Sequence, residues 1–184
     1  NSVYDSEKYF PSKNFEIEAI KQFTKDKKPV LGFCLGSQLI ASSYGGKVYP
    51  NIVDGQRFKE TGFYNIVLTK NGKRDKLFNG FPDSFKVFQW HGDIFDLPEN
   101  AELLSTGDFV KNQAFKIKNT NTHGMLFHFD FLPQMVEEII KLDNKWLHTD
   151  NQADESRMIK EAYQYEDSIK ELSRKLFKNW MELK

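Results

Sequence analysis

The chain has 184 residues, enough for one domain with a sizeable core, and its 39% hydrophobic and 28% charged content is ordinary for a folded protein. Lys+Arg and Asp+Glu both number 26, and the resulting zero formal charge argues against a general nucleic-acid or membrane-surface binder. A single cysteine excludes an intrachain disulfide framework and a Cys-based structural metal site, and it fits a reducing cytoplasm.

Apolar Phe15, Ile17, Ala19, Ile20 and Phe23 recur at helical spacing, which predicts a helix over 14–26. Pro29 stops it, and Val30-Leu31-Gly32-Phe33 reads as a short buried strand. Ser37 to Tyr44 then reads as a helix ended by Gly45-Gly46, so a strand-turn-helix unit spans 29–46 with Cys34 at its turn. Strands are expected at Phe63–Leu68, Phe85–Trp90, Glu102–Ser105, Ala114–Ile117 and Gly124–His128, separated by Asn, Gly, Pro and Asp turn signals. Pro133 opens a helix through Leu142, and Ala153–Leu183 carries a long apolar stripe that reads as core packing. No apolar run is long enough to span a bilayer. With 17 Phe residues, the core is expected to be Phe-rich. Helices at both ends of a strand-rich middle predict an α/β layer fold, with residues 1–184 as a single domain and the segment 150–184 packed on it as a C-terminal helix.

The sharpest chemical feature is Gly32-Phe33-Cys34-Leu35-Gly36. It has the form of a nucleophile elbow, in which a strand turns sharply into a helix. Small residues at 32 and 36 are expected because a side chain at either would collide where strand and helix cross. Such a turn lifts the sulfur out of the sheet, and the first N–H groups of the helix, which have no intrahelical partners, point toward it. The N–H of Leu35 can then donate to an oxyanion. Cys34 also reads as a small buried hydrophobe, and the strand before it and helix after it favour the nucleophile.

A thiol nucleophile needs a base, and the chain has four histidines. His128 ends an apolar strand, with Asp130 two residues on and so on the same face if the strand continues. The pair reads equally as base plus orienting acid or as an edge histidine beside a surface aspartate. His91, in Gln89-Trp90-His91-Gly92-Asp93, is a competing base or a pocket wall. His148 is expected in an exposed polar connector, and His123 at a turn with a structural role.

These segments together resemble the class I glutamine amidotransferases. Pro29 to Gln38 is similar to that family's elbow signature, Phe88-Gln89-Trp90-His91-Gly92-Asp93 to its second motif, and Gly124-Met125-Leu126-Phe127-His128-Phe129-Asp130 to its third. Further likeness is to the stand-alone, GMP synthase-like branch. The resemblance implies a flavodoxin-like, three-layer αβα fold. It implies that Cys34 attacks the side-chain amide of glutamine, that His128 moves the proton, and that Asp130 holds the triad's acid position. Leu35 would supply an oxyanion donor between Gly32 and Gly36, Gln38 would line the glutamine pocket, and Trp90, His91, Gly92 and Asp93 would contact the amino-acid end. No cofactor or metal is implied, and no Gly-x-x-x-x-Gly-Lys-Ser/Thr stretch is present for ATP, so an ammonia-accepting synthetase partner would be another chain.

Three departures from the family pattern stand out. Asp130 replaces the usual Glu, and Leu126 stands where Gln is usual. The family's N-terminal strand-helix-strand, which ends in a second oxyanion donor, has no counterpart before Asn1, so the chain is expected to be N-terminally truncated and weakly active as it stands. Two other functions compete with ammonia release: hydrolysis of γ-glutamyl peptides or conjugates, and a catalytically degenerate binding or regulatory domain.

Overall fold

The computed structural model describes residues 2–6, 8–149 and 153–183. The chain opens with helix α1 (Lys13–Lys25), strand β1 (Val30–Phe33) and helix α2 (Leu35–Ser43). Short strands β2 (Val48–Pro50), β3 (Ile52–Val53) and β4 (Gln56–Arg57) lead into the long pair β5 (Glu60–Leu68) and β6 (Ser84–His91). Then come β7 (Asp93–Phe95), β8 (Ala101–Gly107), β9 (Ala114–Ile117) and β10 (Thr122–Met125). Helices α3 (Pro133–Leu142), α4 (Asn144–His148) and α5 (Glu155–Met181) close the chain.

Among the described residues, six strands form the main sheet in the order β1-β10-β9-β8-β5-β6. Only β1 and β10 run parallel; the other neighbours are antiparallel. Helices cover both faces. On the α2 side Ile40, Ala41, Phe115, Ile117 and Leu126 form one apolar cluster. On the α3 and α5 side Phe63, Phe85, Phe88, Phe127 and Phe129 form the larger one, so the core is Phe-rich as expected. This is a mixed α/β architecture, the α/β layer fold that the strand and helix pattern predicts.

Two glycines decide how close α2 lies to that sheet. Gly32 on β1 and Gly124 on β10 are paired side by side in register. A Cβ on Gly32 would stand 2.6 Å from the backbone of Gly36 and 2.8 Å from Ile40 Cδ1. A Cβ on Gly124 would stand 2.5 Å from the Phe115 ring and 3.1 Å from Ser37 Cβ. Gly36 differs from the expectation drawn for it: a Cβ there meets nothing within 4 Å. The helix turns that position away from the strand, so only the lower glycine of the pair is sterically required.

Three elements depart from their expected bounds for local reasons. β5 begins at Glu60, not Phe63, because β6 continues to His91 and keeps it paired. β10 ends at Met125, not His128. Beyond it Leu126 N–H donates to Gln113 O (2.8 Å), and His128 N–H then reaches Phe88 O on β6 (2.8 Å). α5 runs Glu155–Met181 and buries Met158, Ala162, Ile169, Leu172 and Leu176, while Tyr163 of the expected stripe is exposed with its hydroxyl on Glu137. Residues 150–152 and 184 of the expected C-terminal segment lie outside the described residues.

His123 is in β10 rather than at a turn, fully buried, with Nε2 3.1 Å from Asp75 Oδ1. Asp75 also takes the Lys116 ammonium (3.1 Å) and caps Leu77 N–H (2.9 Å). Burial would raise the Asp75 pKa; the His123, Leu77 and Lys116 contacts outweigh it and hold the carboxyl at about 2, against an ordinary 3.8. A carboxyl depressed in the folded state adds stability that is complete above its unfolded pKa and is lost as pH falls through the folded one. Unfolding midpoints measured from pH 5 to 2 should therefore fall over that window. Asp75→Asn should remove about 2 kcal/mol of that dependence.

Candidate active site

Cys34 stands at the N-cap of α2 with φ 46° and ψ −109°, a backbone region that side chains with a Cβ rarely occupy. Holding it there costs about 1–3 kcal/mol, so the surroundings must over-determine it. They do: Cys34 N–H donates to Met125 O (2.8 Å), and Cys34 O accepts from Ser37 Oγ (2.6 Å) and Gln38 N–H (3.2 Å). The Gly32–Gly36 approach forces the turn from below. The thiol is free, half-buried, and 3.7 Å from Trp90 O.

His128 follows the end of β10 and lies beside β6. An isolated antiparallel bridge to Phe88 anchors its backbone, and the Phe131 ring packs edge-on against the imidazole at 4.9 Å. Its Nδ1 lies 2.9 Å from Asp130 Oδ1, and Cys34 is the second group that acts on the ring. Burial would lower the His128 pKa; the hydrogen bonds to Asp130 and Cys34 and the negative charge on both groups raise it to about 9. Asp130 is held below the usual carboxylate value, since the imidazole outweighs its own partial burial. The shorter Asp side chain therefore makes the contact expected of a Glu. It does so across a bend in the chain, not along a continuing strand. Asp130 is 46% exposed, so solvent weakens this link.

Cys34, Leu35, Gln38 and the run Trp90 to Asp93 line one cleft of about 280 Å³. Gln38 is buried and its Nε2 donates to Asp93 O (3.3 Å), bridging α2 to the second motif. Gly32 lies beneath the turn, and Gly36 faces open space on α2. His91 is buried with both nitrogens engaged, Nδ1 by Asp93 O (3.2 Å) and Nε2 by Glu60 Oε2 (3.0 Å). Leu126 is fully buried in the apolar cluster with Ile40 and Phe115, where a polar side chain would need a partner.

Three lining residues escape the reading of the motifs: Arg57, Asp143 and Trp146. Arg57 pairs with Asp93 (2.7 Å), whose carboxylate also accepts from Ser2 Oγ (2.9 Å) and Tyr4 OH (3.0 Å). The signal for Arg57 was Asp54-Gly55, at φ 51° and 77°, the turn of the β3–β4 hairpin that ends in it. Trp146 lies on α4, within the stretch expected to be an exposed connector. It packs on Trp90 at 5.6 Å and beneath the Lys59 ammonium, which also donates to its carbonyl. His148 ends the same helix and pairs with Glu155 (2.7 Å).

A strained cysteine at a strand-to-helix turn and an acid-linked histidine are the elements that thiol acyl transfer would call for. The family profile described as "Glutamine amidotransferase class-I" matches residues 9–141, and the chain belongs to that family. It is 36% identical over 128 residues to the glutamine-hydrolyzing GMP synthase of Porphyromonas gingivalis, an alignment covering 69% of this chain and 22% of that protein. It is 37% identical over 101 residues to a glutamine-hydrolyzing GMP synthase subunit of Methanosphaera stadtmanae, covering 54% of this chain and 50% of that one. The chain thus spans half or less of the length of these two relatives. Among solved structures, a glutamine amidotransferase from Thermotoga maritima superposes with a TM-score of 0.86 at 30% identity, covering 99% of this chain and 74% of that one.

Proposed function

We propose that this chain hydrolyses the side-chain amide of glutamine through a thioester on Cys34 and delivers the ammonia to a separate synthetase partner in the cytoplasm. The observation that carries this reading is the strained Cys34 on a cleft built from the second motif, together with a His128 that is held by Asp130 and coupled to the thiol. In the first step the Cys34 sulfur, its proton taken by His128, attacks the amide carbon, and the carbonyl electrons move onto oxygen. The N–H of Leu35, at the first residue of α2, donates to that oxyanion; one such donor is worth about 2.7–4 kcal/mol in other acyl-transfer enzymes. The C–N bond then breaks, and the departing ammonia takes the proton held on His128. Water next attacks the thioester, gives its proton to His128, and releases glutamate with the sulfur restored. Asp130 keeps the proton-bearing Nδ1 in place throughout. Gln38, Asp93 and Arg57 surround the end of the cleft that would receive the α-amino and α-carboxylate groups.

A ring with a pKa of about 9 keeps its proton at neutral pH and loses it above that value. Glutamine turnover should therefore decline as pH rises through about 9, since ammonia departs without its acid. Alkylation of Cys34 by iodoacetamide needs no acid and should not decline there. The function itself is tested by product. The reading expects ammonia and glutamate in equal amounts, with glutamine used more efficiently than γ-glutamyl peptides. Faster release of another amine from a γ-glutamyl conjugate would make the chain a γ-glutamyl hydrolase. No reaction of Cys34 with a glutamine-mimicking chloroketone would leave only a binding or regulatory domain.

A further inference from the structure

Behind the cleft lies a buried polar network that the proposed chemistry does not use. Glu60 on β5 and His91 on β6 are cross-strand partners, 1% and 3% exposed. Gln113 Nε2 donates to Glu60 Oε2 (2.8 Å), and Gln89 Nε2 donates to Gln113 Oε1 (2.7 Å), both from fully buried side chains. The His91 ring spans from Glu60 Oε2 (3.0 Å) to Asp93 O (3.2 Å).

The donor inventory of that ring is decisive. A backbone carbonyl only accepts, so His91 Nδ1 must carry a hydrogen. Contact of Nε2 with a carboxyl oxygen then requires one more proton between them, either on the ring or on Glu60. We infer that Glu60 is a positioning residue: by locking one proton between its carboxyl and the His91 ring, it fixes the Trp90–Asp93 wall against Cys34.

The wall's other ties make this geometry consequential. Trp90 O faces the Cys34 sulfur (3.7 Å), Gly92 O accepts from Asn51 N–H (2.9 Å), and Asp93 O is shared between His91 and Gln38. Arg57 and Lys59 pack against Gly92 from outside, where a Cβ would stand 3.3 Å from Arg57 Nε and 3.1 Å from Lys59 Cγ. The segment is therefore held between charged side chains in front and the Glu60–His91 pair behind. A buried polar or ionic pair is a poor source of stability compared with well-packed apolar side chains, and its better-attested use is to specify geometry. Here the geometry it specifies is that of the surface opposite the thiol.

The inference rests on the glutamine reading, and two alkylating probes separate them. A glutamine-mimicking chloroketone must seat in the cleft before it labels Cys34; iodoacetamide need not. In the full chain, Glu60→Gln should raise the half-saturating chloroketone concentration ~10-fold or more through misplacement of the wall. Its iodoacetamide rate should stay within about twofold, because that small reagent need not seat against the wall. Unchanged chloroketone saturation, or equal slowing with both probes together with a lower melting temperature, would overturn the positioning role. A wild-type chain that iodoacetamide labels but chloroketone does not saturate would overturn the glutamine reading and this inference with it. The wild-type protein offers a check that needs no variant. Nitrogen-15 spectra of the His91 ring should show hydrogen on Nδ1 and a proton at, or shared with, Nε2. A bare Nδ1 would contradict the inference.

Discussion

Cys34→Ala is expected to abolish glutamine hydrolysis while leaving the fold in place. The variant keeps a Cβ, so the backbone at φ 46° and its ties to Met125, Ser37 and Gln38 are not altered. What disappears is the atom that forms the thioester, and removing the nucleophile of a comparable acyl-transfer enzyme costs ~10⁶-fold in turnover. Ammonia release beside a thermal melt checks both halves. Cys34→Gly sharpens the test. Glycine occupies the positive-φ region without penalty, so relief of strain should raise stability by up to about 1–3 kcal/mol while activity is lost just as fully. A gain in stability with loss of function would show that the turn is kept strained for the sulfur's sake.

Gly32 carries the second large effect, and here stability is the readout. Alanine places a Cβ 2.6 Å from the backbone carbon and oxygen of Gly36 and 2.8 Å from Ile40 Cδ1. Backbone cannot swing aside as a side-chain tip can, so α2 must lift from β1 and β10. Overpacking of this kind costs about 1–3 kcal/mol, and the strain on the adjacent Cys34 turn places Gly32→Ala at the upper end. For a chain of this size each kcal/mol lowers the melting temperature by about 2–4 °C. Gly32→Val should fail to fold cooperatively. Gly36→Ala is the matched control: its Cβ meets nothing within 4 Å, and alanine favours the helix. Its melting temperature should hold or rise. Equal losses at the two positions would contradict the packing described here.

Much of this was legible in the order of residues, and the failures have physical causes. The strand-turn-helix at 30–43 was readable because glycine spacing, an apolar strand and a helical period agree there. The strands of the middle were readable because turn residues separate them, although their ends shifted where a neighbouring strand carried the pairing further. His128 and Asp130 were matched correctly to each other for an incomplete reason. Alternation along a strand predicted a shared face, but the contact is made across a bend after Met125 that no local pattern marks. Gly36 was misread because a one-dimensional motif treats its two glycines alike, whereas the helix turns only one edge toward the strand. Arg57, Trp146 and Glu60 depend on pairings between distant segments: a short hairpin, a helix that folds back on Trp90, and a cross-strand register with His91. Local periodicity does not carry such information.

One trapping experiment bears on the central chemistry more directly than any rate. The protein is mixed with glutamine, quenched in acid within the first turnover, and its peptides are weighed. A glutamyl adduct on the peptide containing Cys34, absent from Cys34→Ala and accumulating in His128→Ala only at a much reduced rate, is the predicted result. Ammonia released with no such adduct at any quench time, or an adduct formed equally fast without the imidazole, would contradict it.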